Sequence, residues 1–207
     1  MKKNDIILND NEIDISKSDL NSSLLDWIRL EKQLHGTKEG CAEGDCGACS
    51  ILLSPVNGGK LRPANSCLLK LGQVVGSSVY TVEGLGSKKS PSPIQKSLTK
   101  YGGSQCGFCT PGFVIAITSL LNHKEKPTEM DIHDALAGNL CRCTGYRPIV
   151  EAIKKIDGDI HLPECSKWSK CMNSKSETAS FFYPVSVEEA YELSYKNDNT
   201  FYLSGGT

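Results

Sequence analysis

Gly36-Thr37-Lys38-Glu39-Gly40-Cys41-Ala42-Glu43-Gly44-Asp45-Cys46-Gly47-Ala48-Cys49 is the stretch on which the fold turns. It sets three thiols on one loop in the spacing C-x4-C-x2-C, and Cys67 follows as a lone fourth. Bringing three side chains of one loop together demands sharp backbone turns, and Gly40, Gly44 and Gly47 supply positive φ that other residues resist. Around this loop the apolar pattern is that of short strands and one helix. Ile6–Leu8 and Ile13–Ile15 read as strands joined by the turn-rich Asn9-Asp10-Asn11-Glu12. Ser22-Ser23 precede Leu24, Leu25, Trp27, Ile28 and Leu30, which fit a short amphipathic helix. Ser50–Leu53 and Ser78–Val82 read as further strands, with a turn at Asn57-Gly58-Gly59. Together they describe a small α+β unit ending near residue 84.

Beyond it the texture becomes helical. Ser92-Pro93-Ile94-Gln95 is a helix start with a capping box, and Thr110-Pro111 repeats the signal ahead of Val114, Ile115, Ile117, Leu120 and Leu121. Pro127–Asp131 opens a third helix and Pro148 a fourth, so residues 85–158 are expected to form a compact four-helix bundle. This half carries a second cysteine set, Cys106, Cys109, Cys141 and Cys143, placed in two loops that each run into a helix N-terminus. Residues 159–180 are polar and read as a linker. Ser186–Glu189 then starts a helix, and Phe201-Tyr202-Leu203 a strand that enters the glycine turn Ser204-Gly205-Gly206-Thr207.

Composition narrows the function. The 207-residue chain has a net charge of −1. No basic excess points to nucleic acid or an anionic surface. No apolar run approaches the roughly 20 residues that span a bilayer. Met1-Lys2-Lys3-Asn4-Asp5 leads into only a brief apolar run, so no secretory signal is expected. Ten cysteines without such a signal indicate a reducing, cytoplasmic setting, where thiols serve metals or redox chemistry rather than disulfides.

The first set has the spacing of plant-type [2Fe–2S] ferredoxins. Structural zinc usually joins two short hooks of closely spaced cysteines, and three ligands on one loop with a lone fourth favour iron–sulfur. Spacing alone leaves zinc open for the second set, and its neighbour tilts the reading to iron–sulfur there also. Cys165 and Cys171 match no cluster position and read as exposed free thiols. His35, His123, His133 and His161 lack metal spacing and read as surface residues. Trp27 reads as core rather than redox relay, and Arg142 and Arg147 read as partners of local ion pairs, of a cofactor phosphate or of a neighbouring subunit.

The words around the cysteines carry a resemblance. The Gly36–Cys49 loop resembles the first cluster loop of the xanthine dehydrogenase (molybdenum hydroxylase) family. Gly103–Gly112 and Gly138–Pro148 resemble its second, and Tyr183–Thr207 resembles the beginning of its FAD domain. The resemblance implies a ferredoxin-like (β-grasp) [2Fe–2S] domain at 1–84, an all-α four-helix [2Fe–2S] domain at 85–158, and the incomplete start of an FAD-binding domain of molybdopterin dehydrogenase type at 181–207. It implies two [2Fe–2S] clusters, ligated by Cys41, Cys46, Cys49 and Cys67 and by Cys106, Cys109, Cys141 and Cys143. Gln105 and Cys143 match positions toward the molybdopterin, which is expected on a large partner subunit. Ser204, Gly205, Gly206 and Thr207 match the glycine loop at the FAD diphosphate, with FAD held only if the rest of a flavin domain or subunit is supplied. The chain is then an electron-transfer component in a hetero-oligomer, without a complete catalytic site. It relays electrons from molybdopterin toward FAD and NAD, and a flavin-domain start directly after the clusters favours xanthine dehydrogenase. Aldehyde, carbon monoxide and N-heterocycle dehydrogenases share the same cysteine grammar.

Overall fold

The computed structural model describes residues 5–54, 60–160, 174–175 and 179–203. A mixed five-stranded sheet forms first, in the order β2-β1-β5-β3-β4. Its strands are β1 (Asp5–Leu8), β2 (Asn11–Asp14), β3 (Ser50–Leu53), β4 (Arg62–Asn65) and β5 (Ser78–Tyr80). Only β1 and β5 run parallel. The opening hairpin is tighter than the apolar pattern suggests. Asn9 and Asp10 both take positive φ (49° and 66°), a two-residue turn, so β2 begins at Asn11 rather than Ile13. β5 stops at Tyr80, because Thr81 gives its N–H to Asn9 Oδ1 (2.9 Å) and the chain turns into a 3-10 segment at Val82–Leu85. β4, Arg-Pro-Ala-Asn, was not foreseen, for it shows no alternation. It is an edge strand, where Pro63 can do without the N–H that proline lacks.

Helix α1 (Leu24–Asp26) starts on Ser23, whose side chain accepts the Asp26 N–H, and continues as a π-turn over Trp27–Glu31. It lays Leu24, Trp27 and Ile28 against Ile6, Ile51 and Val79 of the sheet, all at most 1% exposed. Burying one such side chain is worth about 1.5–3 kcal/mol.

Four helices follow: α2 (Pro93–Lys100), α3 (Thr110–His123), α4 (Glu129–Leu136) and α5 (Arg147–Lys154). The expected capping box holds at α2, between Ser92 and Gln95, and α4 shows a further one between Thr128 and Asp131. α3 is the central helix, with Gly112–Ser119 buried without a break. One side meets the other helices. The other meets the sheet, where Ile115 packs with Leu52, Leu61 and Tyr80. Sheet and helices therefore share a buried seam.

The chain then returns to the first core. β6 (Ser174–Lys175) pairs with β7 (Ser180–Phe181). Phe181 lies so close over Gly72 that a Cβ there would sit 2.3 Å from the ring, and the Tyr183 hydroxyl donates to the Gly72 carbonyl. Ala179, at the end of the expected linker, also packs on that core. Helix α6 (Val187–Lys196) starts on Ser186 as the sequence suggests. The strand expected at Phe201–Leu203 is absent, those residues having no regular structure. The turn at 57–59, Cys165, Cys171, His161 and the loop Ser204-Gly205-Gly206-Thr207 lie outside the described residues. Among the described residues no helix is long and apolar enough to cross a membrane.

Candidate metal centres

The first cysteine loop links the α1 region to β3, and Cys67 follows β4, so the sheet brings the lone thiol to the loop. The four thiols meet in twos. Cys49 Sγ lies 3.4 Å from Cys67 Sγ, and Cys41 stands near enough to Cys46 for the two thiols to act on one another's protonation. The N–H groups of Glu43 (3.5 Å) and Asp45 (3.3 Å) point at Cys41 Sγ. The Glu43 N–H leads in holding that thiol down, to about 7. Burial pushes the Cys49 thiol up to about 12, since a charged sulfur loses its hydration there. Gly44 (φ 87°) and Gly47 (φ 70°) take the positive φ expected of them, and Gly40 does not. Ala42 makes that left-handed turn instead (φ 59°), and Gly40 is needed for space, because a Cβ would sit 2.7 Å from Cys46 Sγ.

The second set lies where two loops run into α3 and α5. Cys109 itself occupies the position before α3, and Thr110, expected there as the cap, is already helical. The fold brings thiols together across the loops, Cys106 beside Cys143 and Cys109 beside Cys141, near enough for the members of each pair to act on one another's protonation. Burial, then the Cys141 thiol, pushes Cys109 up to about 12. Burial acts the same way on Cys141, but the Thr144 hydroxyl (3.1 Å) and N–H (3.5 Å) outweigh it and draw the thiol below its ordinary value. Tyr146 braces this loop from a left-handed backbone (φ 68°). Its hydroxyl accepts the Cys141 N–H (3.0 Å) and donates to Asn139 O (3.3 Å), while its ring meets Phe113 edge-on.

Among the described residues, no three His, Cys, Asp or Glu side chains gather as a single metal ion requires. A tetrahedral zinc site draws four thiolates to one point, whereas a binuclear [2Fe–2S] cluster takes its four thiolates as two for each iron. The donors of both sets, thiols arranged in twos, fit the binuclear group.

The two loops interlock. Leu140 N–H donates to Cys46 O (3.0 Å), and the buried Asn139 side chain donates to Gly47 O (3.1 Å). Gly112 closes the junction from α3, where a Cβ would stand 2.3 Å from the same carbonyl. Sequence reasoning missed Asn139, whose signal was a lone amide between Gly138 and Leu140. Cys106, Cys143 and Gln105 are exposed at the outer face of the second set, beside Phe108 (47% exposed) and Leu140 (57%). Trp27 is buried at 1% exposure in the first core, as read, with Nε1 donating to Ser18 Oγ (3.2 Å). His35, His123 and His133 are surface residues, also as read, and Arg142 and Arg147 are exposed.

Residues 81–154 match the family described as [2Fe-2S] binding domain. The chain is 48% identical over 141 residues to aldehyde oxidase 1 of Bos taurus, covering 66% of this chain and 10% of that protein. It is 42% identical over 169 residues to xanthine dehydrogenase of Drosophila subobscura, covering 79% and 12%. The chain thus spans only about a tenth of the length of these curated relatives. Among solved structures, quinoline 2-oxidoreductase from Pseudomonas putida 86 superposes with a TM-score of 0.64 at 34% identity, over 73% of this chain and 89% of that one. Aldehyde oxidoreductase from Desulfovibrio gigas superposes with a TM-score of 0.67 at 37% identity, over 74% and 16%. This chain belongs to the xanthine dehydrogenase and aldehyde oxidase family of molybdenum hydroxylases and carries their iron–sulfur domain.

Proposed function

We propose that this chain is the electron-transfer part of a molybdenum hydroxylase, xanthine dehydrogenase by first reading. It holds one [2Fe–2S] cluster on Cys41, Cys46, Cys49 and Cys67 and a second on Cys106, Cys109, Cys141 and Cys143. The observation that carries this is the arrangement of eight thiols in four close pairs, with the first cysteine loop and the loop before α5 interlocked. When bound, such clusters supply one-electron redox couples. The residues of the chain hold them at a fixed separation through the Asn139–Gly47 junction and aim N–H groups at Cys41 and Cys141.

The exposed rim of Phe108 and Leu140 beside Cys106 and Cys143 supports docking of a molybdopterin-binding large subunit on that face, with Gln105 and Cys143 turned to the pterin. Residues 181–207 begin a flavin domain, with Ser204, Gly205, Gly206 and Thr207 in its FAD loop. The remainder of that domain completes the FAD site, and the assembly works in the cytoplasm. A second reading is the iron–sulfur part of an aldehyde oxidase, favoured by the higher identity to the bovine enzyme.

The test is an EPR spectrum of the reduced, anaerobically purified chain with iron counted on the same sample. Two distinct [2Fe–2S] signals and about four irons per chain are expected. Zinc in place of iron, or a single signal, refutes the second centre. Cys143→Ser is expected to remove one signal and leave the other. For the finer identity, turnover of xanthine against aldehydes by the assembled complex decides between the two readings.

A further inference from the structure

One ammonium crosses from the first cysteine loop to the second. Lys38 precedes Cys41, and its backbone N–H is tied to Ala48 O (3.0 Å), inside the first loop. Its side chain is half-buried. Nζ donates to Gly36 O (3.3 Å) and stands 5.8 Å from the centre of the Phe108 ring, between Cys106 and Cys109. The same ring lies against the first loop, where a Cβ on Gly40 would stand in ordinary contact with Phe108 Cε1 (3.6 Å). Burial draws the lysine below its ordinary pKa; Glu83 pulls it up, the Arg29 guanidinium lowers it, and the Cys109 and Cys106 thiols, on either side of Phe108, pull it up again. Glu83 is itself anchored, its two carboxylate oxygens taking Gly36 N–H (2.7 Å) and the Thr81 hydroxyl (2.6 Å).

Net charge and exposure set the potential of an iron–sulfur centre. Reduction adds a negative charge, and a fixed cation nearby favours the state that carries it. We propose that Lys38, a residue of the first loop, raises the reduction potential of the centre held by Cys106, Cys109, Cys141 and Cys143. It touches no reacting atom and acts through its charge. The inference rests on the cluster reading above.

The experiment is EPR-monitored redox titration of the full chain as the wild type and as Lys38→Arg, Lys38→Met and Lys38→Glu, with iron counted for each. For Lys38→Met, the equilibrium constant for reducing the second centre is expected to fall at least about threefold, ~28 mV at 59 mV per tenfold for one electron. Lys38→Glu moves it further the same way, Lys38→Arg stays near wild type, and the first centre moves less than half as far. Equal shifts for Arg and Met, or a shift falling mainly on the first centre, overturn the inference. If Lys38→Met does not load iron, Lys38→Gln takes its place. Loss of iron from every neutral variant makes the lysine an assembly residue and also overturns it. Failure of the underlying reading looks different, as a wild-type chain with no second signal to titrate.

Discussion

Replacing Gly47 with alanine tests the junction between the two cysteine loops. The new Cβ would lie 2.4 Å from both Asn139 Nδ2 and the Gly138 carbonyl oxygen, on a backbone with φ of +70°. Holding an L side chain in left-handed backbone costs about 1–2 kcal/mol. Asn139 must also leave the Gly47 carbonyl, and abandoning a buried hydrogen bond costs about 1–3 kcal/mol. The sum is roughly 2–5 kcal/mol. Gly102 separates the two contributions. It has nearly the same φ (+69°), but a Cβ there meets nothing within 4 Å. Gly102→Ala therefore bears the strain alone, about 1–2 kcal/mol. For a protein of this size each kcal/mol moves Tm by about 2–4 °C. Thermal unfolding of the iron-loaded chain, followed by far-UV circular dichroism and visible absorption together, should show Gly47→Ala melting about 10 °C below wild type. Gly102→Ala should melt only about 4 °C lower. A Gly47→Ala protein melting within about 2 °C of Gly102→Ala would mean that the Asn139 contact adds nothing to holding the loops together.

Tyr146→Phe removes the acceptor of the Cys141 N–H and the donor to Asn139 O, at about 1–3 kcal/mol. Under chelator challenge the second cysteine set should lose iron first, and parallel loss of both EPR signals would refute a local brace. Trp27→Phe should lower the urea midpoint by the equivalent of about 1–3 kcal/mol without slowing reduction of either centre by dithionite. Slower reduction in a folded variant would make the indole a relay. The Lys124 ammonium, then the Thr128 N–H and hydroxyl, hold the Asp131 carboxyl down to about 2. A carboxylate depressed in this way adds stability that is complete above about pH 4 and is lost as pH falls through about 2. Asp131→Asn should therefore lose stability at neutral pH and flatten the acid limb between those values. Superimposable acid curves for the two proteins, read by far-UV circular dichroism, would remove the ion pair from the account.

Much of this chain was legible locally. The capping box marks α2 because side chain and backbone satisfy each other within four residues, and Ser50–Leu53 is a strand from its apolar run alone. Cys41, Cys46 and Cys49 could be grouped from spacing, since the turns of one loop limit which thiols can meet, whereas Cys67 and the two halves of the second set lie on separate segments. Other features needed the tertiary structure. β4 has no strand signal of its own and exists because β3 offers it a ladder. Gly40 is required for the room it leaves Cys46, a contact that its φ does not announce. The cross-loop pairing of Cys106 with Cys143 and Cys109 with Cys141 depends on where α3 and α5 begin relative to each other. The Asn139–Gly47 bond and the reach of Lys38 to Phe108 join positions far apart in the chain. The sequence by itself determined which residues turn, cap and gather thiols, because those are short-range constraints. Only the packing of α3 against the sheet decided how the two cysteine loops meet and which side chains cross from one to the other, because that arrangement is the sum of many contacts, no one of which is written in a motif.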